Sequence, residues 1–365
     1  MSRPTEIAID LSALRHNYQV AKNLSPHSQT VAVIKADAYG HGAVEVARAI
    51  QHQVAIFAVS SEEEASELRS DGILLPILLL EGCFDAQELL SASLKGFEVV
   101  THNHLQLQMI QSMQLPVPIK VWLKVDTGMH RLGIKPEQAV EFVAALSQSS
   151  NVSEVILMTH LSIADNLENE FTAYQLERFK RCHQSIETAL GMKLKSSIAN
   201  SAGLMAWPES HSEFDRPGIM LFGLSPFSYP NSIANSLKSV MSFNSKVIAV
   251  RSIKSGESVG YGNTWTAQQD SVIATVAVGY GDGYPRNARS GTPVMVNQQR
   301  ARLCGRVSMD MITVDVTDLT AVSVNDDVEL WGKHLSADEV ASWADTIGYE
   351  LVTRMPKRCR RTIAP

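Results

Sequence analysis

Lys35 closes an apolar run, Val31-Ala32-Val33-Ile34, and is followed at once by Ala36-Asp37-Ala38-Tyr39-Gly40-His41-Gly42. A β-branched run of that length reads as a buried strand, where an unpaired ammonium is costly, so the lysine must point at something. A lysine desolvated at a strand end is a nucleophilic amine able to form a Schiff base with an aldehyde. The glycines on either side of His41 then supply the φ freedom to turn the chain away from it. Such a lysine can equally run its stem along apolar surface and end in solvent. The choice depends on what other chemistry the chain brings to the same place. At the edges of later apolar runs stand Lys124-Val125-Asp126-Thr127-Gly128-Met129-His130-Arg131, Thr159-His160, Asn200-Ser201-Ala202-Gly203 and Arg216-Pro217-Gly218-Ile219. The hydroxyl of Ser201 and the backbone N–H groups around Gly203 and Gly218 are donors of the kind that hold a phosphate, although serines and glycines in loops also make ordinary turns.

For these groups to meet, the fold must bring the ends of several strands together. Short apolar runs at 31–34, 56–59, 74–80, 97–100, 119–125, 155–158, 196–198 and 219–222 alternate with segments that read as helices. Ser60-Ser61-Glu62-Glu63-Glu64 opens one helix with acids in its first turn, and Lys135-Pro136-Glu137 opens another with proline near its start. Eight βα units fit a (β/α)₈ barrel, whose chemistry gathers at the C-terminal ends of the strands. A doubly wound open sheet is the competing topology. After about residue 230 the pattern becomes strands without long helices, at 240–250, 272–278, 293–296, 301–307, 311–316 and 327–330. The expected architecture is therefore an α/β protein, a barrel over 1–230 followed by a mostly-β domain over 231–365. The joint falls near Pro226-Phe227-Ser228-Tyr229-Pro230, and an opening strand at 6–11 is free to pair with the second domain.

With 365 residues, 45% of them hydrophobic and 19% charged, the chain has the composition of a globular protein with a large core. A net charge of -6 argues against nucleic acid or an anionic membrane as partner, the one basic cluster being Lys357-Arg358-Cys359-Arg360-Arg361. Cys83, Cys182, Cys304 and Cys359 have no metal-ligand spacing and read as reduced thiols, so no metal site is assigned. The N-terminus lacks the apolar segment of a signal peptide and no stretch is long enough to span a bilayer, which makes a cytoplasmic location the expectation.

Taken together, the chain resembles the alanine racemases, fold-type III enzymes that depend on pyridoxal 5'-phosphate. The resemblance covers essentially the whole length. Its most specific pieces are Val33-Ile34-Lys35-Ala36-Asp37-Ala38-Tyr39-Gly40-His41-Gly42, Asp126-Thr127-Gly128-Met129-His130-Arg131-Leu132-Gly133, Arg216-Pro217-Gly218-Ile219, Val259-Gly260-Tyr261-Gly262, Gly279-Tyr280-Gly281-Asp282-Gly283-Tyr284 and Ser308-Met309-Asp310. Asp37 departs from the asparagine that relatives often carry, and His130 stands where several have glycine or asparagine.

The resemblance implies that Lys35 bonds the cofactor and that Tyr261, supplied by the partner chain of a homodimer, is the opposing acid/base. It implies a phosphate held by Tyr39, Ser201, Gly218, Ile219 and Tyr349, with Asn200 at the same strand end. His160 would lie by the ring, Arg216 at the pyridine nitrogen and Arg131 at the phenolic oxygen. Arg131 and the partner's Met309 would meet the substrate carboxylate, and Lys124 stands at a position that can be carbamylated. Asp165, Tyr280, Arg286, Arg306 and Ile347 would line the entrance, with Tyr261 and Tyr349 at a narrow throat selecting small amino acids. The implied reaction is interconversion of L- and D-alanine by proton transfer between two bases, as a racemase serving D-alanine and peptidoglycan-precursor supply. A broader-specificity racemase, a fold-type III decarboxylase and a non-catalytic pyridoxal-phosphate carrier are the rival readings. Arg216 speaks against the decarboxylase, and the 130-odd residues beyond the barrel speak against the carrier.

Overall fold

The computed structural model describes residues 3–364. Eight parallel strands close a barrel: β2 (Gln29–Val33), β3 (Ile56–Val59), β4 (Ile77–Leu79), β5 (Phe97–Thr101), β6 (Ile119–Lys124), β7 (Val152–Met158), β8 (Ser196–Ser197) and β9 (Phe214–Asp215). Closure, through β9 pairing with β2, rules out the open doubly wound sheet. Side chains alternate across each strand. Val31, Val33, Ile56, Ala58, Leu78, Val100, Trp122, Ile156, Met158 and Phe214 therefore fill the barrel interior. Their neighbours Ala32, Phe57, Leu79, Val99, Leu123 and Leu157 face outward to the helices.

The eighth strand is not where the sequence pattern puts it. The run 219–222 forms one turn of 3-10 helix between Gly218 and a left-handed Gly223, and the strand is the two-residue Phe214–Asp215 just before it. A four-residue run buried on all sides carries no periodicity that separates strand from helix, and a two-residue strand leaves almost no pattern. The correction moves Arg216 and Gly218 from before a strand to just after one, onto the chemical face of the barrel.

Helix starts follow their capping residues. Asp10 accepts from the Ala13 N–H to open α1 (Leu11–Leu24). After α2 (Ala43–Ile50), Ser61 caps α3 (Glu62–Ser70), whose first turn carries three acids at its positive end. Asp85 and Asn103 cap α4 (Ala86–Lys95) and α5 (His104–Ser112). Pro136 opens the 3-10 turn that leads into α6 (Ala139–Ser147). Two more helices complete the barrel, α7 (Phe171–Leu190) and α8 (Ser201–Ala206), the latter capped by Asn200.

A second, eight-stranded sheet gathers both ends of the chain. Its members are β1 (Glu6–Asp10), β10 (Met241–Ile253), β13 (Ser271–Val276), β14 (Pro293–Val296), β15 (Gln299–Leu303), β16 (Ile312–Asp315), β17 (Asp327–Trp331) and β18 (Arg360–Ala364), and it runs in the order β13-β16-β15-β14-β17-β10-β1-β18. β1 lies antiparallel to β10 and parallel to β18. A small hairpin pairs β11 (Ser258–Val259) with β12 (Trp265–Thr266). Two short helices that the sequence pattern does not announce, α9 (Ala337–Ser342) and α10 (Gly348–Thr353), bring the β-rich region back against the barrel. Among the described residues no helix is long and apolar enough to cross a membrane.

Candidate active site

One rule of strand geometry assembles the site. Val33, Trp122, Met158 and Phe214 point into the barrel, so the residues two places further on point inward again, now at its mouth. Those residues are Lys35, Lys124, His160 and Arg216, and all four line one cavity of about 620 Å³. Tyr39, Arg131, Asp165, Asn200, Ser201, Gly218, Ile219, Ile347 and Tyr349 line it too. That volume is ordinary for a cofactor site.

Lys35 is presented by an unusual piece of backbone. Ala36, Asp37, Ala38 and Tyr39 all have φ of 53°, a full left-handed turn made without glycine. Each such residue costs about 1–2 kcal/mol, so the turn persists only because its surroundings impose it. The Ala36 N–H donates to the Glu64 carboxylate at 2.7 Å and the Gly42 N–H to Asp37 O at 2.9 Å. Fully buried His41 stacks on Phe222 and donates from Nδ1 toward the carbonyls of Ala38 and Tyr39. Burial pulls His41 down to about 4, so its ring is neutral where it packs. Gly40 is required because α10 runs against it; a Cβ there would lie 2.0 Å from Val352 O.

The polar side of the cavity is prearranged. Ser201 Oγ accepts from the Gly218 N–H at 3.0 Å and the Met220 N–H at 3.4 Å. Gly218 leaves open the space in front of the Tyr39 hydroxyl, which a Cβ would approach to 2.7 Å. Burial raises Tyr39 to about 12 and raises Tyr349 as well, so both hydroxyls stay protonated donors at neutral pH. Asn200 spends its side chain on the α8 cap and on Leu161 O. Arg216, almost wholly buried, donates to Ser197 Oγ, to Thr159 O at 2.6 Å and to Ile198 O at 3.2 Å. Burial lowers it to about 10, which still leaves it charged.

Lys124 is 8% exposed, and burial, then Arg216, Arg131 and Lys35, pull it down to about 8. His160 is held well below its usual value by burial and the same cations, hence neutral. Lys35, Lys124, Arg131 and Arg216 line the cavity against the acids Glu81 and Asp165. Two buried cations, Lys124 and Arg216, with the partly buried Lys35 and the exposed Arg131 at the same cavity and neutral hydroxyl and amide donors beside them, make the donor set an anionic ligand needs. The residues present therefore fit a phosphorylated, phenolate-bearing cofactor.

The remaining candidates lie elsewhere. Tyr261 is 69% exposed and does not line the cavity; glycines with φ of 76° and 72° flank it in a turn beside Arg306. Tyr280 and Met309 are exposed together, because the Tyr280 N–H donates to Ser308 O and the Gly281 N–H to Met309 O. Arg286 is exposed near Tyr280 and likewise does not line the cavity, whereas Asp165 and Ile347 do. Sequence reasoning missed Glu81 on the cavity wall. Its signal was the one that marked Lys35, a polar residue just past the apolar run of a barrel strand.

Residues 9–226 match the family model "Alanine racemase, N-terminal domain" and residues 240–363 match "Alanine racemase, C-terminal domain". The chain belongs to the alanine racemase family. It is 51% identical to the alanine racemase of Pseudoalteromonas atlantica, with 99% of each chain covered. It is 46% identical to that of Vibrio cholerae, over 96% of this chain and 95% of the relative. Among solved structures of the family, the biosynthetic alanine racemase of Pseudomonas aeruginosa superposes with a TM-score of 0.95 at 43% identity, all of both chains covered. The enzyme from Acinetobacter baumannii gives 0.92 at 37% identity, over 99% of this chain and all of that one. Family membership makes the chain an isomerase.

Proposed function

We propose that this chain interconverts L- and D-alanine with pyridoxal 5'-phosphate, using Lys35 on one face of the substrate and Tyr261 of a second copy on the other. The observation that carries the reading is the ring of Lys35, Lys124, His160 and Arg216 at the barrel mouth, next to Ser201, Gly218 and Tyr39, in a chain of this family. When bound, the cofactor supplies an electron sink that acidifies the α-proton of an amino acid attached to it.

Lys35 would hold the cofactor covalently. Tyr39, Ser201, Gly218, Ile219 and Tyr349 would take its phosphate, with Asn200 holding the α8 end of that cradle. His160, neutral, would pack beside the ring, and Arg131 would reach the phenolic oxygen. Arg216 keeps its proton at neutral pH, so it can donate to the ring nitrogen without protonating it. That restraint would favour return of the proton to the substrate's α-carbon.

Racemisation needs a base on each face, and Lys35 Nζ supplies one. Tyr261 is displayed on the surface of the β-rich region, as a base meant for another chain's cavity would be. Met309 of the second copy, beside its Tyr280, would meet the substrate carboxylate with Arg131, and Asp165, Tyr280, Arg286, Arg306 and Ile347 would border the entrance. Lys124, with a neutral fraction near pH 8, is the amine to accept CO₂; its carbamate would turn repulsion from Arg131 into a charge-assisted hydrogen bond.

The test is chiral chromatography of L-alanine, and separately L-serine, incubated with the full chain and pyridoxal 5'-phosphate. D-alanine approaching an equal mixture, with serine slower, is the expected outcome; unchanged L-alanine would sink the assignment, and equal rates would make the enzyme a broader racemase. Shared sites are tested by mixing chains carrying Lys35→Ala with chains carrying Tyr261→Phe. Restoration to about a quarter of wild-type activity is expected, because half the dimers are mixed and each has one intact site.

A further inference from the structure

Behind the left-handed turn lies a second cavity, of about 940 Å³, so that residues 36–39 form a thin wall between two spaces. Lys35 and Tyr39 face the front cavity, while Asp37, Glu64 and Arg361 line the rear one. Arg361 comes from β18, at the far end of the chain, and parallel pairing of β18 with β1 sets its position. Its guanidinium donates at 2.9 Å to the Asp37 carboxylate and, from the same nitrogen, at 2.9 Å to Gly40 O. Its other terminal nitrogen rests against Gly42, 3.3 Å from where a Cβ would stand. Asp37 meanwhile uses its second oxygen to accept from the Ala43 N–H at 2.8 Å, which opens α2. One side chain thus touches the middle of the strained turn, its exit and the following glycine.

We infer that Arg361 is a positioning residue: acting through Asp37 and Gly40, it holds the left-handed turn from behind and so fixes Lys35 and Tyr39 for the cofactor. This rests on the proposed function for its consequence, though not for its geometry. The ion pair is half exposed, and as a bare charge pair it is worth little. Its effect comes from place. Four consecutive left-handed residues tend to relax to right-handed or extended backbone, and relaxation at Asp37 would carry its carboxylate away from Arg361 and swing both flanking side chains out of the cavity. The restraint is needed on the rear side, because nothing bound in front can reach Asp37. A strand contributed by the C-terminus therefore stabilises the backbone that presents a lysine near the N-terminus.

Hydrogen exchange on the full chain, without added cofactor, is the first measurement. In Arg361→Gln the amides of Ala38, His41 and Gly42 should exchange about tenfold faster while those of the barrel strands stay unchanged. Arg361→Lys should recover part of that protection. Asp37→Asn keeps an oxygen for the α2 cap and loses the charge but leaves the Arg361 contact to Gly40 O; it should reproduce part of the effect, with the double variant no worse than Arg361→Gln alone. If Arg361→Gln fails to fold, Asp37→Asn carries the test alone. With pyridoxal 5'-phosphate added, the single variants should bind it about tenfold more weakly and shift the pH midpoint of the absorbance of the lysine-bound form. Unchanged exchange in the turn, or additive effects of the two substitutions, overturns the inference. A wild-type chain that binds no cofactor would overturn the proposed function instead, leaving the exchange result to judge the clamp.

Discussion

The barrel mouth and the rim of the β-rich region both hold reactive side chains, yet they hold them in opposite ways. At the mouth Lys124, Ser201 and Arg216 are buried, and hydrogen bonds fix Ser201 and Arg216. On the rim Tyr261, Tyr280 and Met309 are 69%, 41% and 52% exposed, in turns whose backbone is fixed while the side chains are free. Burying charge and strain needs a closed scaffold to pay for it; displaying a phenol needs only a rigid turn. On the proposed reading, a single chain carries one half-site at its barrel mouth and the opposite half of another on its rim.

Breaking that asymmetry should show first in catalysis. Lys35→Ala is expected to lower turnover by on the order of 10⁴-fold and to abolish borohydride trapping of the cofactor on the chain, read by peptide mapping. Tyr261→Phe should cost about 10²–10⁴-fold in kcat, yet leave the denaturation midpoint within about 0.5 kcal/mol of wild type because the ring is exposed. A large stability loss in Tyr261→Phe would place the ring in the chain's own core and contradict the proposed division. Arg216→Met should differ in costing stability as well as activity. It removes donors from Thr159 O, Ile198 O and Ser197 Oγ, and about 3 kcal/mol of stability should go with them, measurable in urea.

Two pH effects sharpen the contrast on the buried side. His41 is lowered from 6.5 to about 4 by burial, so between those values the unfolded chain binds a proton that the folded one refuses. Stability from this group is whole above about pH 6.5 and is lost as pH falls toward 4; His41→Gln should flatten that window in denaturation titrations. The smallest effect belongs to Lys124, lowered to about 8. Its free amine should become reactive toward CO₂ or an acylating probe as pH rises from 7 to 9, while a surface lysine such as Lys254 lags; equal profiles for the two would contradict the burial argument.

Much of the barrel side was legible beforehand. Apolar runs ending in Lys35 and Lys124 announce themselves, because side chains alternate along a strand and a barrel converges its strand ends. The eighth strand was misplaced by a few residues since 219–222 is apolar all round, and the helices α9 and α10 escaped notice because each is barely more than a turn. No pattern marked the left-handed turn: a run of alanine, aspartate, alanine and tyrosine does not favour it, and besides the adjacent His41 its contacts come from Glu64, Val352 and Arg361, far away in the chain.

The sequence by itself determined which groups can do chemistry and that they sit at strand ends, because residue type and two-residue periodicity are local properties. Tertiary structure decided their state and reach: burial set the charge of His41, His160 and Lys124, the rear contact of β18 held a disfavoured backbone, and Tyr261 was left facing outward. Those outcomes depend on desolvation and on contacts between residues hundreds of positions apart, which no local pattern encodes.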